Sequence, residues 1–326
     1  MTARPRLSGV QRRRVGSSGL EVSRIGLGTM TWGSADADTD VDGATAQLTA
    51  FVDAGGTLVE TSDGYGDGAA QQVLGEVMAA GVPREYLVIA GRGGLPGGPL
   101  GDGAARGALL AGLDATLKRL GTDHIDLWQL PSFDATVPLE ETLSAVQVAV
   151  MSGRARYAGL VAPRGWQLAT VAERGRGLGS ITVPVSAQVE YSLLSRGAEA
   201  ELLPAAQHHG VGLLAWAPLG RGVLTGKYAG GTPADSRAAS PALAPYVEAR
   251  RNERSARIVA SVLTAADGLG TSPLAVALSW VRDRPGVAAA VVGARDAAQL
   301  QASMATESVT LPSEIRAALD DVSLPS

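Results

Sequence analysis

Short apolar segments alternate with amphipathic segments along almost the whole chain, roughly once every 25 to 45 residues. Most of these segments are apolar at consecutive positions, which is typical of parallel strands buried on both faces. The alternation therefore predicts repeated β-then-α units. The predicted strands span residues 24–28, 57–61, 86–90, 125–130, 156–161, 185–189, 213–217 and 288–292.

Amphipathic helices are predicted between the strands, from apolar residues that recur at helical spacing. The segment 44–54, for example, carries Leu48, Phe51 and Val52 on one face and ends at Gly55. A last helix, over 313–322, follows Pro312, a residue type favoured at helix starts. The other predicted helices span residues 104–120, 139–151, 165–174, 199–209, 253–266, 273–282 and 297–305.

Repeated β-then-α units can close into a barrel or form an open, doubly wound sheet. Two observations favour the barrel. The G-x-G-x-x-G fingerprint of the open sheet is missing after the first strand. Polar and glycine-rich residues gather where strands end and helices begin, which is the active face of a barrel. We therefore predict a single (β/α)8 TIM-barrel domain over 1–326, with 1–10 disordered and a β-hairpin of segments 13–15 and 21–23 closing the bottom.

The composition narrows the possible partners. The chain has a net charge of −4 and no basic stripe, so we expect no nucleic-acid partner. It has no cysteine, which excludes disulfides and cysteine-bound metal, and no metal site is predicted. No apolar run reaches the ~20 residues of a membrane span, and residues 1–9 lack the apolar core of a signal peptide. We expect a cytoplasmic protein that acts on a small molecule, and nothing in the sequence predicts its oligomeric state.

Two predicted loops are long. Residues 93–103 are rich in Gly and Pro but lack the Gly-Lys-Ser/Thr ending of a phosphate loop, so we interpret them as a flexible connection. Residues 229–245 follow the seventh predicted strand and contain Asp235, Ser236 and Arg237. Loops of this length in compact domains are often lids, which makes this loop a candidate lid.

Several short motifs occur in a fixed order between Gly19 and Ser323. They are GLEVSRIGLGTMTWG at 19–33, GYG at 64–66, IDLWQL at 125–130, PLEET at 138–142, GRARYAG at 153–159, QVEYS at 188–192, PLGRGVLTGKY at 218–228, and VVGAR at 291–295 followed by Gln299. With these motifs the chain resembles the aldo-keto reductase family. The resemblance implies a barrel and an oxidoreductase that binds NADP(H) without a Rossmann fold.

The resemblance also implies a catalytic site, because four residues carry the chemistry of that family. A tyrosine donates the proton, a lysine lowers its pKa, an aspartate holds the lysine, and a histidine polarises the substrate carbonyl. The tyrosine position is Tyr65. Glu60 stands at the aspartate position and Arg92 at the lysine position, whereas Pro131 stands at the histidine position.

These replacements change the expected chemistry. A Glu60–Arg92 pair can still form, either to tune Tyr65 or as a purely structural ion pair. Arginine stabilises a phenolate, but with a pKa above ~12 it does not pass on a proton. Pro131 has no hydrogen-bond donor, and the loss of one donor to the oxyanion raises the activation barrier by about 3 kcal/mol. Ordinary ketone reduction is therefore expected to be weak.

Lys118 lies on a predicted helix face and Lys227 in the loop after the seventh strand, so neither replaces the missing lysine directly. We interpret the three histidines, His124, His208 and His209, as structural or solvated.

The cofactor positions implied by the resemblance divide into two halves. At the nicotinamide half, Ala162 and Pro163 replace a polar pair, whereas Gln188 is retained as a carboxamide ligand and Trp216 as the stacking aromatic. At the phosphate half the match is better, since backbone N–H groups and cations suit phosphate; the alternative is ordinary surface charge. The phosphate-half candidates are Leu219, Gly220, Arg221, Gly222, Lys227, Arg237, Gly293, Arg295 and Gln299.

Three hypotheses follow, in order of preference. The first is an NADPH-dependent reductase of an imine or a conjugated C=C bond, since an iminium carbon is already electrophilic and needs no histidine. In this hypothesis Tyr65 donates the proton, and Arg92 and Glu60 tune it. The second is a non-redox biosynthetic enzyme (a cyclase, dehydratase or isomerase) that uses Tyr65, Glu60 and Arg92 as acid, base and anion holder. The third is an NADPH-binding protein without turnover, as the potassium-channel β subunits partly illustrate within the family.

Overall fold

The computed structural model describes residues 10–33, 39–93, 103–131, 134–178, 182–234, 236–240 and 244–325. Within these residues, eight parallel strands close into a barrel in the order β10-β3-β4-β5-β6-β7-β8-β9, and β1 pairs with β2 as an antiparallel hairpin. The (β/α)8 prediction is confirmed. The strands are β1 Arg12–Arg14, β2 Glu21–Ser23, β3 Ile25–Gly28, β4 Leu58–Ser62, β5 Val88–Arg92, β6 Ile125–Leu130, β7 Ala155–Val161, β8 Ser186–Glu190, β9 Gly212–Trp216 and β10 Val287–Val292.

Helices surround the barrel, and several begin where a polar side chain caps the first turn. Asp40, Asn252, Ser272 and Asp296 each accept a backbone N–H three residues on. The helices are α1 Val41–Asp53, α2 Ala69–Ala80, α3 Arg106–Leu120, α4 Leu139–Met151, α5 Gly165–Gly177, α6 Leu202–His209, α7 Ala244–Glu248, α8 Glu253–Gly268, α9 Pro273–Arg282, α10 Ala297–Ala305 and α11 Ser313–Val322.

Some predicted boundaries were wrong. The third barrel strand was predicted over 86–90 but spans Val88–Arg92, because Arg84–Tyr86 form a 3-10 turn. The shift brings Arg92 into the sheet. Helix α6 begins at Leu202 instead of 199, since Gly197–Glu199 form another such turn. Helix α2 was not predicted at all, although its buried residues Ala70, Val73, Leu74 and Val77 have helical spacing.

The hairpin fills the amino-terminal end of the barrel, as predicted. Val15, Leu20 and Val22 belong to the buried cluster that also holds the inward residues Leu58 and Leu127. The turn fits because Gly16 has a φ of +58°, and a Cβ there would collide with the backbone of Gly210. With the bottom closed by apolar side chains, the carboxyl ends of the strands form the accessible mouth of the barrel.

No single helix in the described part of the chain is long and apolar enough to cross a membrane. Helices α8 and α9 together have sufficient length and apolar character, but they meet at an angle of 104°. The predicted disorder of 1–10 falls almost wholly outside the described residues, as does most of the loop 93–103.

Candidate functional site

The candidate site is built on inward positions near the carboxyl ends of the barrel strands. Side chains alternate along a strand, so Glu60 points the same way as the interior residue Leu58. Arg92 ends the neighbouring strand β5, paired with Ser62 of β4. Tyr65 lies in the turn directly after β4. The structure therefore brings Glu60, Tyr65 and Arg92 together.

Four hydrogen-bond donors from three side chains surround the Glu60 carboxylate, which is only 2% exposed. Arg92 donates through Nε (3.1 Å) and Nη2 (2.9 Å) to Oε1. The Tyr65 hydroxyl lies 3.0 Å from Oε1 and 3.2 Å from Oε2. Gln188 on β8 donates its Nε2 to Oε1 at 3.1 Å. The carboxylate is therefore saturated with donors on one oxygen.

The geometry fixes where the tyrosine proton points. Arg92 Nη2 lies 2.6 Å from the Tyr65 oxygen, and a guanidinium can only donate, so the tyrosine oxygen accepts this bond. The hydroxyl proton is then directed at Glu60. Burial, together with the Glu60 charge, raises the pKa of Tyr65 far above its usual range, and Arg92 opposes this shift without cancelling it. Tyr65 is held protonated, with its proton turned away from the mouth.

The position predicted for the polarising histidine has no donor. Pro131 follows directly on β6 and lines a shallow apolar cleft together with Leu130 and Pro163. None of the three histidines reaches it. His124 precedes β6 at the opposite end of the strand and contacts Asp123, while His208 and His209 end helix α6.

The strand ends at the predicted nicotinamide half carry backbone strain. Ala162 after β7 and Ala217 after β9 have φ values of +47° and +50°. A residue with a Cβ costs roughly 1–2 kcal/mol there, and such strain is concentrated at functional sites. Gln188 is fully buried, and its Oε1 has no hydrogen-bond partner among the described residues. That oxygen is suited to accept from a carboxamide NH2, whereas its Nε2 is already committed to Glu60.

The predicted phosphate half is a tight backbone turn with cations beside it. Gly220, Arg221 and Gly222 have φ values of +55°, +61° and +91°. The Arg221 guanidinium lies 5.6 Å from the ring centre of Trp216 and 4.8 Å from that of Tyr246. Successive backbone N–H groups in a turn of this kind can line a concave surface that binds anions.

The remaining predicted residues of this half take different places. Lys227 is exposed, and its Cε lies 3.1 Å from the position of a Cβ on Gly222, so its charge adjoins the turn. Arg295 is held at the start of α10 by Gln299, whose Oε1 accepts the Arg295 backbone N–H at 3.2 Å. Gly293 is exposed after β10. Arg237 begins a short 3-10 turn, and its side chain lies outside the described part of the structure.

Sequence reasoning missed several polar residues of this face. Glu190 at the end of β8 pairs with Arg250 at 2.7 Å and lies 3.7 Å from Arg221. Gln129 on β6 is fully buried. In both cases the available signal was a polar residue near the carboxyl end of a predicted strand. The described residues contain no group of three or more acidic or histidine side chains that could hold a metal ion.

The candidate lid is described only in part. Within 229–245, the structure contains the turn Arg237–Ala239 and the start of helix α7. Tyr246 of α7 is 56% exposed, and its ring packs on Arg221. The described end of this loop thus adjoins the phosphate half, while closure over the site stays a prediction.

Comparisons with known proteins agree with this architecture. The model of the aldo/keto reductase family matches residues 24–323. An uncharacterised oxidoreductase of Bacillus subtilis, YrpG, is 34% identical over 322 residues, which are 94% of each chain. L-glyceraldehyde 3-phosphate reductase of Escherichia coli O157:H7 is 32% identical over 95% of this chain and 92% of its own. A probable voltage-gated potassium channel subunit beta of Oryza sativa subsp. japonica is 34% identical over 90% of each chain.

Proposed function

The chain belongs to the aldo/keto reductase family of oxidoreductases, and we propose that it uses NADP(H) to reduce an imine or an activated C=C bond rather than a simple carbonyl. One observation carries this proposal. The Tyr65 proton is directed at Glu60, and Pro131 offers no donor in place of the histidine. For carbonyl reduction the site therefore has no histidine, and its tyrosine proton is held by Glu60.

Of the two substrate classes, this geometry favours the imine in its protonated, iminium form. NADPH supplies a hydride to the electrophilic carbon, and the nitrogen, which already carries its proton, becomes an amine. No proton has to come from the protein in that step. Reduction of a conjugated C=C bond, in contrast, needs a proton on the neighbouring carbon. Tyr65 could give one only by leaving its hydrogen bond to Glu60.

The residues present fit the cofactor on two independent grounds. The unpartnered, buried Oε1 of Gln188 would accept from the nicotinamide carboxamide, and Trp216 would stack on the ring. The turn Gly220–Gly222 with Lys227 would hold the pyrophosphate through backbone N–H groups and positive charge. We place Arg237, Gly293, Arg295 and Gln299 with the remaining phosphate and ribose contacts. The cysteine-free sequence supports a reducing compartment, and we propose a cytoplasmic location.

A protein that binds NADPH without turnover is the second candidate. The commitment of the Tyr65 proton to Glu60 favours it. A non-redox acid–base enzyme is disfavoured, because Glu60 already accepts from Tyr65, Arg92 and Gln188 and has little capacity left as a base.

The test has two stages. NADPH is first titrated against the protein by cofactor fluorescence. A saturable change is expected, and none at millimolar cofactor would contradict the proposal. NADPH oxidation is then followed with a cyclic imine, an enone and an aldehyde of similar size. We expect oxidation with the imine and little with the aldehyde. Tight NADPH binding with no oxidation in any reaction would instead support the second candidate.

A further inference from the structure

The barrel interior contains a glutamine, Gln129, whose amide forms no hydrogen bond with the residues of the site. Gln129 is fully buried on β6, and both atoms of its amide lack a hydrogen-bond partner among the described residues. Its side chain shares the inward face with Leu127, two residues earlier. A buried amide without hydrogen bonds costs about 1–3 kcal/mol of folding free energy, so we expect a hydrogen-bond partner.

The sheet register places further bare polar atoms beside it. Gln129 is paired with Gly159 on β7, and Gly159 with Ser186 on β8. Because Gly159 has no side chain, the Ser186 hydroxyl lies 2.0 Å from where a Cβ of Gly159 would be, and Gly159 is the register partner of Gln129. Ser186 Oγ and, two positions farther along β8, Gln188 Oε1 are also buried without a partner among the described residues.

We propose that Gln129, Ser186 and Gln188 form an internal binding site for one water molecule, next to Glu60. Their unpartnered groups have the complement that a water needs. The Gln129 amide N–H and the Ser186 hydroxyl donate, while the two glutamine oxygens accept. Buried waters typically make about three hydrogen bonds to groups of this kind. A direct contact is the alternative, but β7 lies between β6 and β8, so the two strands are two strand spacings apart, or about 9.6 Å.

We infer that the water site orients the Gln188 amide for the cofactor, and this role rests on the proposed function. Gln188 Nε2 is fixed by Glu60, and a water on one lone pair of its Oε1 fixes the other end of the amide. The second lone pair is then directed for the cofactor carboxamide. Gln129 is thus a positioning residue that acts through the water and Gln188, and it touches neither substrate nor cofactor.

Two measurements test the water site without any cofactor. A crystal structure at about 1.8 Å or better should show a peak within hydrogen-bond distance of Gln129 and of Ser186 or Gln188. In thermal unfolding, Gln129→Leu should lower the Tm, because the remaining groups lose the water that they share. The calibrating control is Gln71→Leu, which removes a buried amide already bonded to Arg119 and Thr116 and should also lower the Tm.

An increase in Tm would contradict the proposed water site. A Gln129→Leu variant with a raised Tm would mean that the amide is truly bare, since its replacement by an apolar group of similar size would then relieve a penalty. A direct Gln129–Gln188 hydrogen bond in the crystal, with no water between, would overturn it as well.

The positioning role is tested separately by cofactor fragments. Gln129→Leu should raise the Kd for NADPH about fivefold, which is the effect of one weakened hydrogen bond. It should leave the Kd for 2′,5′-ADP, which lacks the nicotinamide, unchanged. Equal changes for both ligands would indicate general loosening and would overturn the role. If the wild-type protein binds neither ligand, the proposed function fails, whereas the crystallographic peak still decides the water site.

Discussion

Two clusters in the described part of the chain combine one tyrosine, one glutamate and one or two arginines, and one of the two lies inside the barrel mouth. In the mouth cluster, Tyr65 donates to Glu60 and accepts from Arg92. In the second cluster, which we call the outer cluster, Tyr191 donates to Glu199 and accepts from Arg284. The outer cluster packs against Trp280 of α9, outside the barrel wall. The same three residue types therefore form the same hydrogen-bonded arrangement in two settings.

The difference lies in what else supports each carboxylate. Glu199 is bound by a second arginine, Arg196, as well as by Arg284. Glu60 has a single arginine and the amide of Gln188 instead. A Tyr–Glu–Arg arrangement is thus a structural unit that does not by itself indicate catalysis. The mouth cluster is distinguished by Glu60, which points into the barrel, and by its link to Gln188.

The largest expected effect is on stability, from the loss of one arginine in each cluster. Arg92→Leu leaves the buried Glu60 charge without a counterion and should cost about 3 kcal/mol of unfolding free energy. Arg284→Leu leaves Glu199 paired with Arg196 and also removes the partly exposed Arg284–Asp320 ion pair, and we expect about 1–2 kcal/mol. Urea unfolding followed by circular dichroism measures both. Equal losses would show that the second arginine does not back up the outer cluster.

The next effect separates the two tyrosines by activity. Tyr65→Phe and Tyr191→Phe should each cost about 1 kcal/mol of stability, one hydrogen-bonded hydroxyl apiece. If Tyr65 gives no proton to an iminium substrate, imine reduction should fall by less than about tenfold in Tyr65→Phe. A general acid would contribute about 10²–10⁴-fold. A loss in that range, with Tyr191→Phe unaffected, would assign Tyr65 as the proton donor.

The third prediction concerns the outer cluster and the dependence of stability on acid pH. Burial alone would raise the pKa of Glu199, but hydrogen bonds from Arg196, Tyr191 and Arg284 outweigh it and lower the pKa to about 2. Its stabilising contribution is therefore complete above the ordinary value of about 4.5 and is lost as the pH falls towards 2. Unfolding free energy measured from pH 5 to pH 2.5 should fall less steeply in Glu199→Gln than in wild type. Identical slopes would mean that Glu199 titrates normally.

The smallest expected effect is in alkali. Because the pKa of Tyr65 is raised by burial and by Glu60, its contribution to stability is present below the ordinary tyrosine pKa of about 10 and is lost as the pH rises above it. An absorbance titration at the phenolate band counts the tyrosines that stay protonated well above pH 10. We expect this number to be one lower in Tyr65→Phe than in wild type. A Tyr65 that ionises near pH 10 would contradict the hydrogen bond to Glu60.

Sequence reasoning went far for the fold and less far for the site. Strand β6 and helices α4, α9, α10 and α11 have the predicted bounds, because continuous apolar runs and helical spacing are local signals. The direction of the Tyr65 proton could not be predicted, since it depends on Arg92 lying at the strand end, two residues beyond the predicted strand. The lack of hydrogen-bond partners at Gln129 could not be predicted, because it depends on which residues of the neighbouring strands lie beside it in the sheet register.

The most direct test of hydride transfer to a C=N bond is to follow the hydrogen itself. NADPH that carries deuterium at both C4 positions of the nicotinamide is incubated with the wild-type protein and a cyclic imine, and the amine is analysed by mass spectrometry and NMR. We expect one deuterium per amine, bound to the former imine carbon, and no label in the aldehyde control. Amine without deuterium, or conversion of the imine in the absence of the cofactor, would contradict the account.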